Sequence, residues 1–247
     1  VLFERADGTR VVVWHGSAGF YCYDFSGQEL AIMAVGSGEE VWLETLRAGK
    51  DLHAKCGELM SKAAGKEIPR KMAKTLNFTM GYGGSAMTVQ ARLKNDYGIE
   101  ISKDEAQDLI NIYFRAFPKL KKYLEHNGSL GVRHGVTYSF EPFNRMRVLA
   151  FETEDWRKRN IGKNSPIQGT GADMTKLAMV YLHNLLKNTK AKIIHQLHDE
   201  LVVEAPTAQA KEVKKLMIQA MDRACEQILG EAISAPDVHL QKDWSKI

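Results

Sequence analysis

Residues 70–83 read RKMAKTLNFTMGYG, directly after Pro69. Proline is favoured in a first helical turn and glycine just past a last one, so Pro69 and the Gly81/Gly83 pair bracket a helix. Arg70, Lys74, Phe78 and Tyr82 are spaced by four. Each is therefore turned about 40° from the last, and together they draw one stripe about 18 Å long. The apolar face is a different one, at Ala73, Leu76 and Met80. Along the stripe two cations precede two rings, the order in which a nucleoside triphosphate presents its phosphates, then its sugar and base. On this stretch alone, a solvated basic patch beside core aromatics accounts for the pattern equally well.

Working outward, two carboxylates stand at positions suited to metal binding. Asp24 closes the strand-like run Phe20-Tyr21-Cys22-Tyr23, and Asp199 sits at the tip of a strand–turn–strand with Glu200 beside it. Carboxylates gathered from distant strands, without His or Cys ligands, suit hard divalent cations. Two such ions about 3.5–4 Å apart activate an attacking hydroxyl and stabilise a leaving oxygen in phosphoryl transfer. Ordinary turn carboxylates are the plain alternative, since Asp favours turns. Ser26-Gly27-Gln28-Glu29 has capping-box spacing, yet Glu29 also lies five residues beyond Asp24 and is able to face a substrate sugar. His53 is a phosphate contact or a structural histidine. Asn164 and Gln168 flank Pro166, where a helix is expected to start, as donors to the minor-groove acceptors that every base pair presents, with helix capping the plain alternative for Asn164.

The rest of the 247 residues arrange themselves around these points. Val11–Trp14 and Gly19–Asp24 read as short strands. Leu30, Met33 and Ala34 mark one helix and Val41 to Leu46 a second; from Asp51 to Tyr123 the periodicity is almost entirely helical. Asn127 to Val148, rich in Gly, aromatic and β-branched residues, is expected to be loops with short strands. A long helix is expected after Pro166, then strands Lys192–Leu197 and Leu201–Glu204, a helix from Thr207 to about Leu229, and a last strand near Val238–Leu240. The predicted class is α+β, a sheet-based lobe into which a helical lobe is inserted. The three cysteines, Cys22, Cys56 and Cys225, support neither a disulfide framework nor a metal knuckle. No apolar run reaches the length of a membrane span. A net charge of +4 leans mildly toward polyanions and decides little.

Taken together, the motifs resemble those of family A DNA polymerases, of the phage and mitochondrial type. Asp24 to Leu30, DFSGQEL, resembles motif A. Residues 70–83 match the motif B pattern RxxxKxxxFxxxYG. His198 to Leu201, HDEL, resembles motif C, and Gln168 to Asp173, QGTGAD, is similar to the segment opening the long palm helix. The likeness covers nearly the whole chain, in the family's order.

The resemblance implies an antiparallel-sheet palm with an inserted helical fingers subdomain, in a right-hand fold without its thumb. The expected segments are 1–56 (palm), 57–155 (fingers) and 156–247 (palm). It implies DNA-directed DNA synthesis with two Mg²⁺ ions, Mn²⁺ being the alternative, held by Asp24, Asp199 and the Phe25 carbonyl. Arg70 and Lys74 would hold the dNTP triphosphate with His53 assisting, and Lys74 would protonate pyrophosphate. Phe78 would pack on the sugar, and Glu29, held by Tyr82 and following Gln28, would exclude a ribose 2′-OH. Tyr82 and Gly83 would border the templating base, Asn164 and Gln168 would probe the minor groove, His198 would sit near the primer end, and Glu200 would be an auxiliary acid.

The implied partners are primer–template DNA, dNTPs and an upstream polypeptide supplying a thumb and an exonuclease, with no membrane. The implied location is the cytoplasm of a bacterial or phage-infected cell rather than a mitochondrial matrix. One departure stands out. The arginine expected a few residues before Asn164 is displaced, with Asn160 in its slot and Arg159 preceding it. Single-subunit phage-type RNA polymerases share the R, K and YG spacing, but Glu29 speaks against ribonucleotides. Intact Asp24, Lys74 and Asp199 speak against a non-catalytic DNA-binding subunit.

Overall fold

The computed structural model describes residues 2–4, 10–12, 18–25, 27–233 and 236–241, with side chains at Phe25 and from 27 to 233. Strands β1 (Leu2–Glu4) and β2 (Arg10–Val12) pair antiparallel. The part of the expected first strand beyond Val12 lies outside the described residues. There follow β3 (Ala18–Phe25), α1 (Gln28–Ser37), α2 (Glu40–Arg47), α3 (Leu52–Ala64), α4 (Arg70–Gly81), α5 (Ala86–Tyr97), α6 (Lys103–Ala116) and α7 (Pro118–His134). After the hairpin β4 (Val136–Tyr138) and β5 (Met146–Val148) come α8 (Asp155–Leu185), β6 (Lys192–Leu197), β7 (Glu200–Pro206), α9 (Ala210–Leu229) and β8 (Pro236–Gln241). Among the described residues, no helix is long and apolar enough to cross a membrane.

Two compact units result, Val1–Gln28 with Gly171–Ile247, and Glu29–Thr170. The expected segments, drawn at 56/57 and 155/156, follow the motifs instead. Compactness assigns most of α1, all of α2 and the first half of α8 to the helical unit. The reason is visible for α2. Trp42 is fully buried against Phe117, ring centroids 5.7 Å apart, and the buried Glu39 accepts from the Lys119 (3.1 Å) and Leu120 (3.4 Å) amides that open α7.

In the first unit the sheet runs β6-β7-β3-β8, every pair antiparallel. Leu201, Val202, Val203 and Ala205 of β7 are buried. Helix α9 covers this sheet with an apolar stripe through Val213, Met217, Ala220, Met221 and Ala224, the spacing of one helical face.

The helical unit corrects two expectations. Residues 127–134 are not loop: they are the last two turns of α7. The glycines that suggest a loop exist for packing. A Cβ on Gly128 would lie 2.9 Å from Arg159 Cγ, one on Gly131 2.8 Å from the Lys158 carbonyl, and one on Gly162 2.6 Å from the Asn127 carbonyl. Helices α7 and α8 therefore meet backbone to backbone. Pro166, likewise, does not open a helix; it lies inside α8. The proline costs one i→i−4 hydrogen bond and crowds the carbonyl of residue 162. Asn164 is consequently a mid-helix residue, not a cap.

Candidate active site

Helix α4 presents the stripe as its spacing requires. Ala73, Leu76 and Met80 are buried, whereas Arg70 and Tyr82 are exposed and Lys74 and Phe78 half-buried. Arg70 Nε donates to Asp51 Oδ2 at 2.5 Å, and Asp51 also caps α3 by accepting from the Ala54 amide at 3.0 Å. The pair is exposed on both sides, where such bonds contribute little and exchange readily with solvent or another anion.

At the far end of the stripe Tyr82 Oη donates to Glu29 Oε1 at 2.5 Å. Gln168 Nε2 donates to the same oxygen and, at 3.2 Å, to Tyr82 Oη. Burial, reinforced by the Glu29 carboxylate, pushes the Tyr82 phenol well up, so it remains a donor across the working pH range. Glu29 is thus pinned from two sides at the Tyr82 end of the stripe. Ser26, the other half of the capping box, lies outside the described residues. Gln168, expected at the minor groove, is here part of the Glu29 cage.

His53 lies beside Phe78, ring centroids 5.5 Å apart, with Nδ1 2.9 Å from Asn77 Nδ2. An amide nitrogen only donates, so Nδ1 accepts and the imidazole proton is on Nε2. Burial first, then the Arg70 charge, lowers the His53 pKa to about 4. The ring is neutral at pH 7 and offers one N–H donor. Asn77 itself is fully buried on α4; sequence reasoning missed it because a polar residue on the apolar side of a helix carries no periodic signal.

In the sheet unit the β6–β7 link is only His198 and Asp199, since Leu197 pairs with Glu200. His198 takes φ +52°, the positive value that the first position of a two-residue hairpin turn demands. Asp24 stands opposite Glu200 in register, and the Phe25 amide donates to the Asp199 carbonyl at 3.3 Å. The backbone therefore brings the ends of β3 and β6–β7 to one edge of the sheet; the Asp24 side chain lies outside the described residues. Burial, and to a smaller extent Glu200, raises the pKa of the half-buried Asp199. Among the described residues no three acidic, His or Cys side chains form a metal cluster. The Asp199 carboxylate and the Phe25 carbonyl are oxygen donors, the kind a hard divalent cation takes. Gln28 is buried and its amide donates to Thr175 Oγ1 at 3.3 Å, an interior contact of the sheet unit.

A cavity of about 390 Å³ opens between Tyr82, Gly83, Thr88, Arg92, Trp156 and Asn160. Gly83 has φ +71°, and a Cβ there would meet Asn160 at 2.9 Å; only glycine fits. The Arg92 guanidinium lies over the Tyr82 ring at 6.0 Å. Trp156 was not expected here, because a single exposed Trp in a basic run gives no pattern.

A family model described as DNA polymerase family A matches residues 9–245. DNA polymerase I, thermostable, of Thermus thermophilus is 35% identical over 229 residues, covering 90% of this chain and 26% of that protein. DNA polymerase I of Aquifex aeolicus is 32% identical, covering 99% of this chain and 41% of that protein. The chain thus spans well under half the length of these curated relatives. A solved structure, the POL domain of Pol1 from M. smegmatis in complex with DNA primer-template and dNTP, matches 94% of this chain and 41% of its own, with TM-score 0.78 and 27% identity.

Proposed function

Because this chain belongs to DNA polymerase family A, we propose that it carries the nucleotidyl-transfer centre of a template-directed DNA polymerase. Its mostly helical α+β fold with small antiparallel sheets is part of the right-hand polymerase fold. The observation that carries the reading is the α4 stripe ending on a pinned carboxylate: Arg70 and Lys74, then Phe78, then Tyr82 holding Glu29.

Under this reading Arg70 and Lys74 bind the triphosphate of an incoming dNTP, and the Asp51 partner of Arg70 gives way to phosphate. Lys74 also delivers a proton to the departing pyrophosphate, where charge grows in the transition state. His53 adds its Nε2–H donor to a phosphate oxygen. Phe78 packs on the sugar, and Glu29 occupies the space a ribose 2′-OH needs. Tyr82 and Gly83 border the templating base; Asn164 reaches the minor groove, with Gln168 shared between that role and Glu29. Family A DNA polymerases are divalent-metal dependent. Asp24, Asp199 and the Phe25 carbonyl would hold two Mg²⁺ ions, which supply Lewis-acid activation of the primer 3′-OH and charge neutralisation. Glu200 and His198 stand at the same hairpin, toward the primer end.

Primer extension with dNTPs, with NTPs, and with EDTA in place of Mg²⁺ tests the proposal. Metal-dependent extension restricted to dNTPs supports it. Extension with NTPs alone, or extension that persists in EDTA, refutes it.

A further inference from the structure

Asn77 is a polar residue on the buried side of α4. It is fully buried, and its Oδ1 has no hydrogen-bond partner among the described residues. A buried amide with an unmade bond costs stability, which an apolar side chain of similar shape does not. Packing alone therefore favours a residue such as leucine here. What the amide supplies is its nitrogen, which lies 2.9 Å from His53 Nδ1.

The orientation of that amide decides what the contact does. With Nδ2 against Nδ1 the ring is neutral and its proton is on Nε2. With Oδ1 there instead, the proton would have to sit on Nδ1 and Nε2 would be a bare lone pair. The neighbouring Cys56 argues for the first arrangement. Burial pushes its thiol up to about 12, and Asn77 acts in the opposite direction, as a hydrogen-bond donor to sulfur does. The NH₂ end of the amide therefore faces α3, where His53 and Cys56 both stand.

Two bonds thus join the start of α3 to α4. The outer one, between Asp51 and Arg70, is exposed and is the one that gives way to a triphosphate. The inner one, between His53 and Asn77, is closed to solvent on the Asn77 side and remains when the outer one opens. The charges acting on His53 are the cations Arg70 and Lys74 and the anion Asp51. Of the forms an imidazole can take, only the neutral Nε2–H form offers a phosphate a donor there without adding another positive charge beside those two cations. We propose that Asn77 is a positioning residue, which holds His53 as a neutral Nε2–H donor to the triphosphate bound by Arg70 and Lys74. The inference rests on the polymerase reading above for the identity of that triphosphate, and Asn77 itself touches no substrate.

The test is ¹⁵N NMR of the chain labelled at histidine, alone and titrated with dATP, without DNA or metal. His53 is assigned by the signals that His53→Phe removes. In wild type at neutral pH its proton should be on Nε2, and dATP should shift that signal. Asn77→Asp, which puts an acceptor in place of the donor, should bring a proton to Nδ1. His53→Phe should weaken dATP binding about tenfold, the low end for a hydrogen bond to a charged acceptor. Asn77→Leu, which keeps the packing, should reproduce much of that loss, and the double variant should lose no more than His53→Phe alone. If Asn77 only joins two helices, Asn77→Leu changes the melting temperature and keeps wild-type dATP affinity, and the proposal is overturned. A wild-type His53 protonated on Nδ1 or on both nitrogens overturns it too, as do a His53 signal indifferent to dATP and losses that add in the double variant. Should Asn77→Asp not fold, wild type and Asn77→Leu still decide. Because these readouts need no catalysis, a chain that meets them but extends no primer refutes the polymerase reading alone. A chain that extends primers with His53 protonated on Nδ1 refutes this inference alone.

Discussion

Replacing Glu29 by Ala should relax sugar selectivity far more than it reduces stability. For a ribonucleotide to enter, the carboxylate must leave the two donors that fix it, Tyr82 Oη and Gln168 Nε2. Hydrogen bonds to a charged acceptor contribute about 1.5–3 kcal/mol each. Tyr82 is 40% exposed, so the low end applies, and two such bonds amount to about 3 kcal/mol, or roughly two factors of ten in discrimination. Tyr82→Phe removes one of the two and should forfeit about one factor of ten. Stability should respond weakly, because Gln168 and Tyr82 keep each other as partners at 3.2 Å after Glu29 is gone; about 1 kcal/mol is expected, the net contribution of an ordinary hydrogen bond. Single-turnover incorporation of dATP and ATP on one primer–template, with melting temperatures on the same proteins, gives both quantities. Glu29→Ala and Tyr82→Phe should also be non-additive in the double mutant, since they disable the same device. An unchanged dATP/ATP ratio in Glu29→Ala, with a lowered melting temperature, would show that the cluster only holds the fold together.

Gly162→Ala should destabilise the protein although alanine is the better helix former by about 1 kcal/mol. The new Cβ would lie 2.6 Å from the Asn127 carbonyl and 3.1 Å from Gly128 Cα, both backbone atoms; overpacking of about 2 kcal/mol, less the helix-propensity gain, leaves a net loss of about 1 kcal/mol and a melting point lower by about 2–4 °C; a melting point at or above wild type would contradict the close α7–α8 approach. His53, with a folded pKa of about 4 against 6.5 for the free side chain, favours the neutral ring in the folded state. Its contribution is complete above pH 6.5 and is lost as pH falls toward 4. Thermal melts of wild type and His53→Gln should diverge most above pH 6.5 and converge toward pH 4; parallel curves would mean that the ring titrates normally.

The sequence reads best where function and local structure ask for the same residues. The α4 stripe needs only helical periodicity and two terminators, and the β6–β7 hairpin is marked by β-branched strands around a short polar tip. Reading fails where glycine and proline serve packing rather than chain breaking. Gly128 and Gly131 look like loop residues because their partner surface is another backbone, which no local pattern encodes. Pro166 looks like a helix start because tertiary context alone carries α8 across it. The side-chain partners are the least legible part: Asn77 on His53, Gln168 on Glu29 and Gln28 on Thr175 are pairings 24 to 147 residues apart in sequence. Charge has the same limit, since Arg159 joins Ser129 only after the glycine contact brings their helices together.

Under the proposed function Asp24 and Asp199, brought to one sheet edge by β3 and the β6–β7 hairpin, hold the metals of nucleotidyl transfer. Primer extension by Asp24→Ala and Asp199→Ala, beside a primer–template binding measurement on the same proteins, tests it most directly. Binding close to wild type and extension reduced by many orders of magnitude are expected in each variant, because each removes a ligand that both metals would share. Near-normal extension by either variant would contradict it.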